Sequence, residues 1–319
     1  MKTKLAILII LAAVLVLFGY YYYGKSNSQD LVTQANNLLQ KGDYKGVILL
    51  INTAGTHKSL NKYLQVCRGI AYDKTGYFDL AILDFSRAIN QDPLFLDAYM
   101  WRGKVYSDLQ QYQKAILDLT KAIELGSKDS SNYANRGWDY MLTGDNEKAI
   151  EDFNRALELE PGNQEFYSYR ASAHFKSKEY EKAISDYNKA IELNPKIAVN
   201  YSSRASVYAN MGEYDKALAD YNKAIELEPD NYYHYDGRGY VYTKLKEYDK
   251  SIPDYNRAIE LNPKSGRTYF NRGLDLYTTG QNQKALDDFK KALELDPQNE
   301  QIRIWLDKVQ KIVSEKAKK

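Results

Sequence analysis

The chain has 319 residues, with 44 Lys and Arg against 42 Asp and Glu, so its formal net charge is only +2. That balance gives no electrostatic case for a nucleic-acid partner, and 44% hydrophobic content is too high for a disordered chain. A single cysteine excludes a disulfide framework and any multi-cysteine zinc or iron–sulfur site.

The first predicted element is apolar. Leu5 to Phe18 form an unbroken apolar run of 14 residues, which Gly19 and Tyr20 to Tyr23 extend to 19. As a helix this spans about 28 Å at ~1.5 Å per residue, close to the ~30 Å hydrocarbon thickness of a bilayer. The tyrosines at its end suit an interfacial aromatic belt. Residues 1–25 are therefore expected to be an uncleaved signal anchor, a transmembrane helix. The α-amine, Lys2 and Lys4 outweigh Lys25, which favours the N-terminus inside. This describes a single-pass membrane protein with its folded part on the extracytoplasmic side. The alternative is a cleaved signal peptide that releases a secreted or soluble protein. Bulky Gly-Tyr-Tyr-Tyr-Tyr-Gly after the apolar core, with only Ser26-Asn27-Ser28 imitating a cleavage site, argues against it.

Beyond the anchor, one period organises the chain. Pro93, Pro161, Pro195, Pro229, Pro263 and Pro297 are spaced by 34 residues or a multiple of it, with Ser127 in the missing place. The same step carries Gly69, Gly103, Gly137, Ala171, Ala205, Gly239 and Gly273. It also carries an arginine without exception, from Arg68 to Arg272. A fixed period of this length marks stacked supersecondary units. Seven full repeats begin at Lys62, Leu96, Ser130, Gln164, Ala198, Tyr232 and Gly266 and fill residues 62–299, after a degenerate repeat over 28–61. In the fifth, Tyr201, Ala205 and Tyr208 have helical spacing, Gly212 interrupts it, and Ala217, Leu218, Tyr221, Ala224, Ile225 and Leu227 resume it before Pro229. Each repeat thus predicts a helical hairpin. Ile302, Leu306, Val309 and Val313 form an apolar stripe in 300–319, a predicted capping helix.

Numbered within the repeat, position 4 carries Tyr99, Tyr133, Tyr167, Tyr201, Tyr235 and Tyr269. Position 20 carries Ala81, Ala115, Ala149, Ala183, Ala217 and Ala285, and position 27 is alanine in all seven repeats. Position 24 is aromatic in Phe85, Phe153, Tyr187, Tyr221, Tyr255 and Phe289. With the prolines at 32 and the small residues at 8, this pattern resembles the tetratricopeptide repeat family. The expected fold is all-α: a right-handed α-solenoid of tandem hairpins with the N-terminal transmembrane helix and the C-terminal cap. Small residues let helix backbones approach, and aromatics fill the space between hairpins that cannot bury their apolar faces alone. Two departures stand out. Ser127 after Gly126 suggests a looser turn, and Pro253 suggests a bend near the start of its helix.

Position 7 is always Arg and position 23 always Asp. In an antiparallel hairpin both lie about 11–13 Å from the turn, so they are level and predict structural ion pairs. These include Arg102 with Asp118, Arg136 with Asp152, Arg170 with Asp186 and Arg204 with Asp220. The competing reading, an anion-binding groove of arginines, is opposed by the matching Asp at every step.

The resemblance implies ligands along the concave face, at first-helix positions 2, 5, 9, 12 and 13. Those positions vary most here and supply the candidate binding residues. They are Met100, Lys104, Trp138, Met141, Phe175, Tyr233, Tyr240, Arg267, Phe270 and Tyr277. Trp138, Met141 and Phe175 would anchor an extended peptide or partner helix. Packing between repeats competes with that role, and is favoured for Phe175. The family's clamp for C-terminal carboxylates needs Lys at position 5, where this chain has Val66, Met100, Ala134, Ser168, Ser202, Asp236 and Phe270. No catalytic motif surrounds His57, His174, His234 or Cys67. The reading is therefore a membrane-anchored protein-interaction scaffold. No enzymatic activity, metal, cofactor, small-molecule substrate or nucleic acid is expected. An RNA-binding helical-repeat protein is the rival from another class, opposed by the balanced charge.

Overall fold

The computed structural model describes residues 29–54 and 60–316. The expected anchor over 1–25 lies outside the described residues. Among the described residues no helix is long and apolar enough to cross a membrane, and all regular structure is helical.

The chain divides into two compact halves, one through Leu159 and one from Glu160. The first contains α1 (29–40), α2 (Tyr44–Ala54), α3 (Lys62–Lys74), α4 (Phe78–Gln91), α5 (Leu96–Asp108), α6 (Tyr112–Glu124), α7 (Ser130–Thr143) and α8 (Asn146–Leu159). The second contains α9 (Gln164–Lys176), α10 (Tyr180–Leu193), α11 (Ala198–Met211), α12 (Tyr214–Leu227), α13 (Tyr232–Lys244), α14 (Tyr248–Leu261), α15 (Gly266–Thr278), α16 (Asn282–Leu295) and α17 (Glu300–Lys316). From α3 to α16, each odd helix opens a hairpin and the even helix after it closes it. In the first half α3 touches α5 and α5 touches α7. In the second, α9, α11, α13 and α15 touch in turn. The closing helices do not approach one another so closely. Within each half the opening helices therefore form an inner layer and the closing helices an outer one.

Side-chain caps start several opening helices. Asn61 Oδ1 accepts from Leu64 N at 2.9 Å, and Asp129, Asn163 and Asn231 do the same for α7, α9 and α13. Every hairpin turn passes through a left-handed residue at repeat position 15. It is glycine at Gly42, Gly76, Gly144, Gly212 and Gly280, but Gln110, Lys178 and Lys246 hold the same conformation at φ of 59°, 61° and 62°. A Cβ there costs about 1 kcal/mol or more, and glycine's extra unfolded-state freedom offsets part of it. Lys178→Gly is expected to stabilise the protein by about 0.5–1 kcal/mol in denaturant unfolding. A loss of stability would show that Lys178 is not strained.

Small and aromatic positions make the core. The alanines at positions 20 and 27 are buried throughout, as are Phe85, Phe153, Tyr187, Tyr221, Tyr255 and Phe289. Where position 24 is tyrosine, its hydroxyl meets a partner on the opening helix. Tyr187 Oη lies 2.9 Å from Ser172 Oγ, Tyr221 Oη 2.8 Å from Ser206 Oγ, and Tyr255 Oη 3.1 Å from Thr243 Oγ1.

Position 7 joins hairpins to each other. Nε and Nη2 of Arg68 donate to Asp84 at 2.7 and 2.8 Å, and its Nη1 donates to Asn52 of the preceding hairpin at 2.7 Å. Arg102 pairs likewise with Asp118 and reaches Ser86, and Arg136 pairs with Asp152 and reaches Thr120. In the second half Arg170 pairs with Asp186, Arg204 with Asp220, Arg238 with Asp254 and Arg272 with Asp288, each through two bonds of 2.6–2.8 Å. Nη1 of Arg204, Arg238 and Arg272 reaches Asn188, Asn222 and Asn256. The bonds to Asp84 hold the Arg68 guanidinium above its usual pKa against the opposing effect of burial.

The two departures resolve locally. Ser127 is buried, and its Oγ accepts from Asn132 Nδ2 at 2.7 Å and from Asp129 N at 3.3 Å. A hydroxyl thus ties the turn where the other repeats use proline, in place of the expected loosening. Pro253 falls in the second turn of α14, which stays helical on both sides of it. Trp305 of α17 lies edge-on to Tyr277 at 5.4 Å, and Ile302 and Val309 are buried, so the last helix covers the final hairpin.

Candidate functional site

A cleft of about 710 Å³ opens within the second half. Its walls come from the opening helices. Phe175 of α9, Val199, Ser202, Ser206 and Asn210 of α11, Tyr233 and Tyr240 of α13, and Arg267 and Asn271 of α15 all face it. Hairpin stacking brings these side chains together from four repeats. The size falls within the usual range for ligand sites, roughly 300–1,000 Å³.

The lining is apolar and neutral-polar, with one ion pair. Val199, Tyr233 and Tyr240 are exposed, and hydroxyls and amides of Ser202, Ser203, Asn210 and Asn271 lie among them. Arg267 Nη2 donates to Asp236 Oδ2 at 2.5 Å, and Thr268 Oγ1 donates to Asp236 Oδ1 at 2.8 Å. Asp236 is buried and Arg267 exposed, so the pair presents a guanidinium whose charge is largely balanced from beneath. His234 is buried at the edge of the cleft, and its Nε2 is 3.5 Å from Glu228 Oε2. Burial lowers its pKa against the opposing pull of that carboxylate, which favours the neutral ring.

Gly237 shapes the floor. A Cβ there would sit 2.4 Å from the Tyr221 ring and 2.5 Å from its hydroxyl. The missing side chain lets the Tyr221 tip pass under α13 and reach Ser206.

Of the residues singled out from sequence, Phe175, Tyr233, Tyr240 and Arg267 line this cleft. Phe270 has its ring 5.8 Å from Phe289, and Tyr277 lies against Trp305 with Lys308 Nζ 5.0 Å from its ring, so both take part in packing. In the first half, Trp138 is exposed, Met100 is half-buried, and Lys104 holds its ammonium 5.3 Å from the Trp101 ring. Met141 is buried and offers no surface to a partner. Sequence reasoning passed over Val199, Ser202, Ser206 and Asn210. They occupy positions 2, 5, 9 and 13 of the fifth repeat, the same positions used elsewhere, so the signal was present.

The other reactive residue types are embedded. His174 is buried with Nδ1 2.5 Å from Glu179 Oε2. Cys67 is buried between α3 and α1, with Sγ 3.4 Å from Asn36 Oδ1, and burial pushes its thiol up to about 11. Among the described residues no group of His, Cys, Asp or Glu could hold a metal ion.

The family model described as Tetratricopeptide repeat matches residues 132–163, 165–197, 198–231, 237–265 and 266–299, and a second model of the same description matches 96–128. No curated protein matches the chain. Among solved structures, a tetratricopeptide repeat protein from Parabacteroides merdae ATCC 43184 is 22% identical, with 78% of this chain and 98% of that one covered and a TM-score of 0.66. A structure of the APC/C hetero-tetramer Cut9–Hcn1 is 14% identical over 88% of this chain and 55% of that one, with a TM-score of 0.63. A MamA protein is 26% identical over 53% of this chain and 92% of that one, with a TM-score of 0.50. The first two likenesses concern the fold alone. With more than half of its length matched, repeat by repeat, the chain belongs to the tetratricopeptide repeat family.

Proposed function

We propose that this protein is an interaction scaffold that binds an extended polypeptide segment in the cleft of α9, α11, α13 and α15, and that residues 1–25 tether it to a membrane. The observation that carries the binding reading is the composition of the cleft. Exposed Val199, Tyr233 and Tyr240 offer apolar and aromatic area, and the serines and asparagines between them offer donors and acceptors to a ligand backbone. The near-neutral lining suits a peptide more than a polyanion. The tether reading rests on the apolar run Leu5–Phe18 and its tyrosine border. Mass spectrometry of the mature chain, with residues 1–25 absent, would replace it by release after cleavage.

The binding test uses the full chain to select from a displayed library of random peptides. Selected peptides are expected to lose about tenfold or more in affinity against Tyr233→Ala combined with Tyr240→Ala, because aromatic anchors dominate such interfaces. Leu193→Ala, an exposed leucine of α10 outside the cleft lining, is the control and should change nothing. Failure to enrich any peptide, or equal binding by the double variant, would remove the cleft as the site.

A further inference from the structure

We propose that the outer face of the first three hairpins rests on an anionic lipid surface through a stripe of exposed leucines. The inference builds on the tether reading above. Leu49 of α2, Leu83 of α4 and Leu117 of α6 all occupy repeat position 22 and are 66%, 43% and 70% exposed. Leu80, one turn away on α4, is exposed beside them. Isolated surface leucines are ordinary, but these recur at one repeat position on three successive outer helices, an apolar residue repeated on the same face. The repetition then stops. Position 22 is Glu151 on α8, followed by Ser185, Ala219, Pro253 and Asp287.

Charge follows the same boundary. On the outer surfaces of α2, α4 and α6 the leucines are flanked by Lys45, Arg87, Lys114 and Lys121, against Asp79 and Glu124; Arg87 also lies 3.6 Å from Asp84, and Lys121 3.3 Å from Glu124. On α8 the same surface carries Glu147, Glu151 and Glu158 against Lys148 and Arg155. Leucine with surplus lysine and arginine is the chemistry of a helix face lying on anionic headgroups. A second copy of the chain or its own apolar segment would have no use for the cations. Position along the chain agrees. Only Gly24 to Ser28 separate Tyr23 from α1, and five extended residues reach about 17 Å. A bilayer holding Leu5–Phe18 would therefore lie close to the start of α1, in the first of these hairpins.

The test is site-directed spin labelling of the full chain in nanodiscs containing phosphatidylglycerol. A nitroxide is attached at Leu83→Cys or, as control, at Glu151→Cys, the same repeat position one hairpin later. Cys67 is buried with a raised pKa and does not compete for the label. At position 83, collision with oxygen should exceed collision with a water-soluble nickel chelate by several-fold. At 151 the order should reverse, and replacing the anionic lipid by phosphatidylcholine should bring 83 towards 151. Equal water exposure at both positions would overturn the proposal. So would shielding of 83 from both reagents in either lipid, the signature of a protein cover. Extraction of the unlabelled chain by high salt would instead remove the tether reading. The stripe would then be read from flotation of the full chain with phosphatidylglycerol vesicles at low salt. Leu49→Glu, Leu83→Glu and Leu117→Glu together should abolish that flotation while circular dichroism stays unchanged, and undiminished flotation would overturn the stripe as well.

Discussion

Asp84→Ala is expected to destabilise the protein by about 3–5 kcal/mol, the cost of stranding one partner of a buried pair. The Asp84 side chain is 2% exposed and that of Arg68 13%, and two donors of the guanidinium lose their acceptors together. The bond to Asn52 remains, but a neutral amide does not compensate a buried cation. The informative comparison is Arg68→Met combined with Asp84→Leu. Removing both charges leaves no unpaired ion, so the double variant should recover most of the loss or exceed the parent. Denaturant unfolding of the two variants measures it. A single variant as stable as the parent would mean that the pair contributes orientation and not stability.

The second large effect depends on pH. Asp139 is 0% exposed in α7, and its Oδ1 accepts from Ser107 Oγ of α5 at 2.5 Å. Burial pushes its carboxyl up to about 7; the Ser107 bond opposes this and the nearby Asp108 charge adds to it. In the unfolded chain the same group titrates near 4. Between those values the folded state holds the proton more tightly, so stability is greatest on the acid side and falls as pH rises through the window. The penalty at pH 8 is up to about 4 kcal/mol, at 1.36 kcal/mol per pH unit. Asp139→Asn keeps an acceptor for Ser107 and cannot ionise. It should raise the melting temperature clearly at pH 8 and hardly at all at pH 4. An equal gain at both pH values would show that packing, not the proton, limits this site.

The hairpin plan was open to reading because the residues that build it recur with strict spacing. Proline, glycine and alanine at fixed positions determine where helices stop and where backbones meet, and each acts mainly within its own repeat. Gln110, Lys178 and Lys246 resist such reading, since nothing in those residue types announces a left-handed turn. Only their alignment with Gly144 and Gly212 does so. The cleft was partly legible. Tyr233, Tyr240 and Arg267 stand at positions that vary among repeats, yet Met141 at such a position is turned into the core. The difference lies in how the next hairpin covers each side chain, which periodicity does not encode. Buried carboxylates were hidden for the same reason. Asp139, Asp236 and Asp275 look like surface acids until a neighbouring hairpin supplies Ser107, Thr268, or Thr243 with Ser251.

The contacts that join hairpins are of two chemical kinds, both of which are present between the second and third repeats and between the sixth and seventh, and the difference bears on how such a chain can lengthen. Nη1 of the position 7 arginine donates to an asparagine, serine or threonine oxygen of the preceding hairpin. A duplicated hairpin inserted where only this kind of contact joins its neighbours would find a ready acceptor, so gene duplication can add modules there without new invention. The pairs Ser107 with Asp139 and Asp236 with Thr268 are private locks. An inserted module would leave a carboxylate sealed away from water without its mate, and growth at those places would demand compensating substitutions before the longer protein could fold.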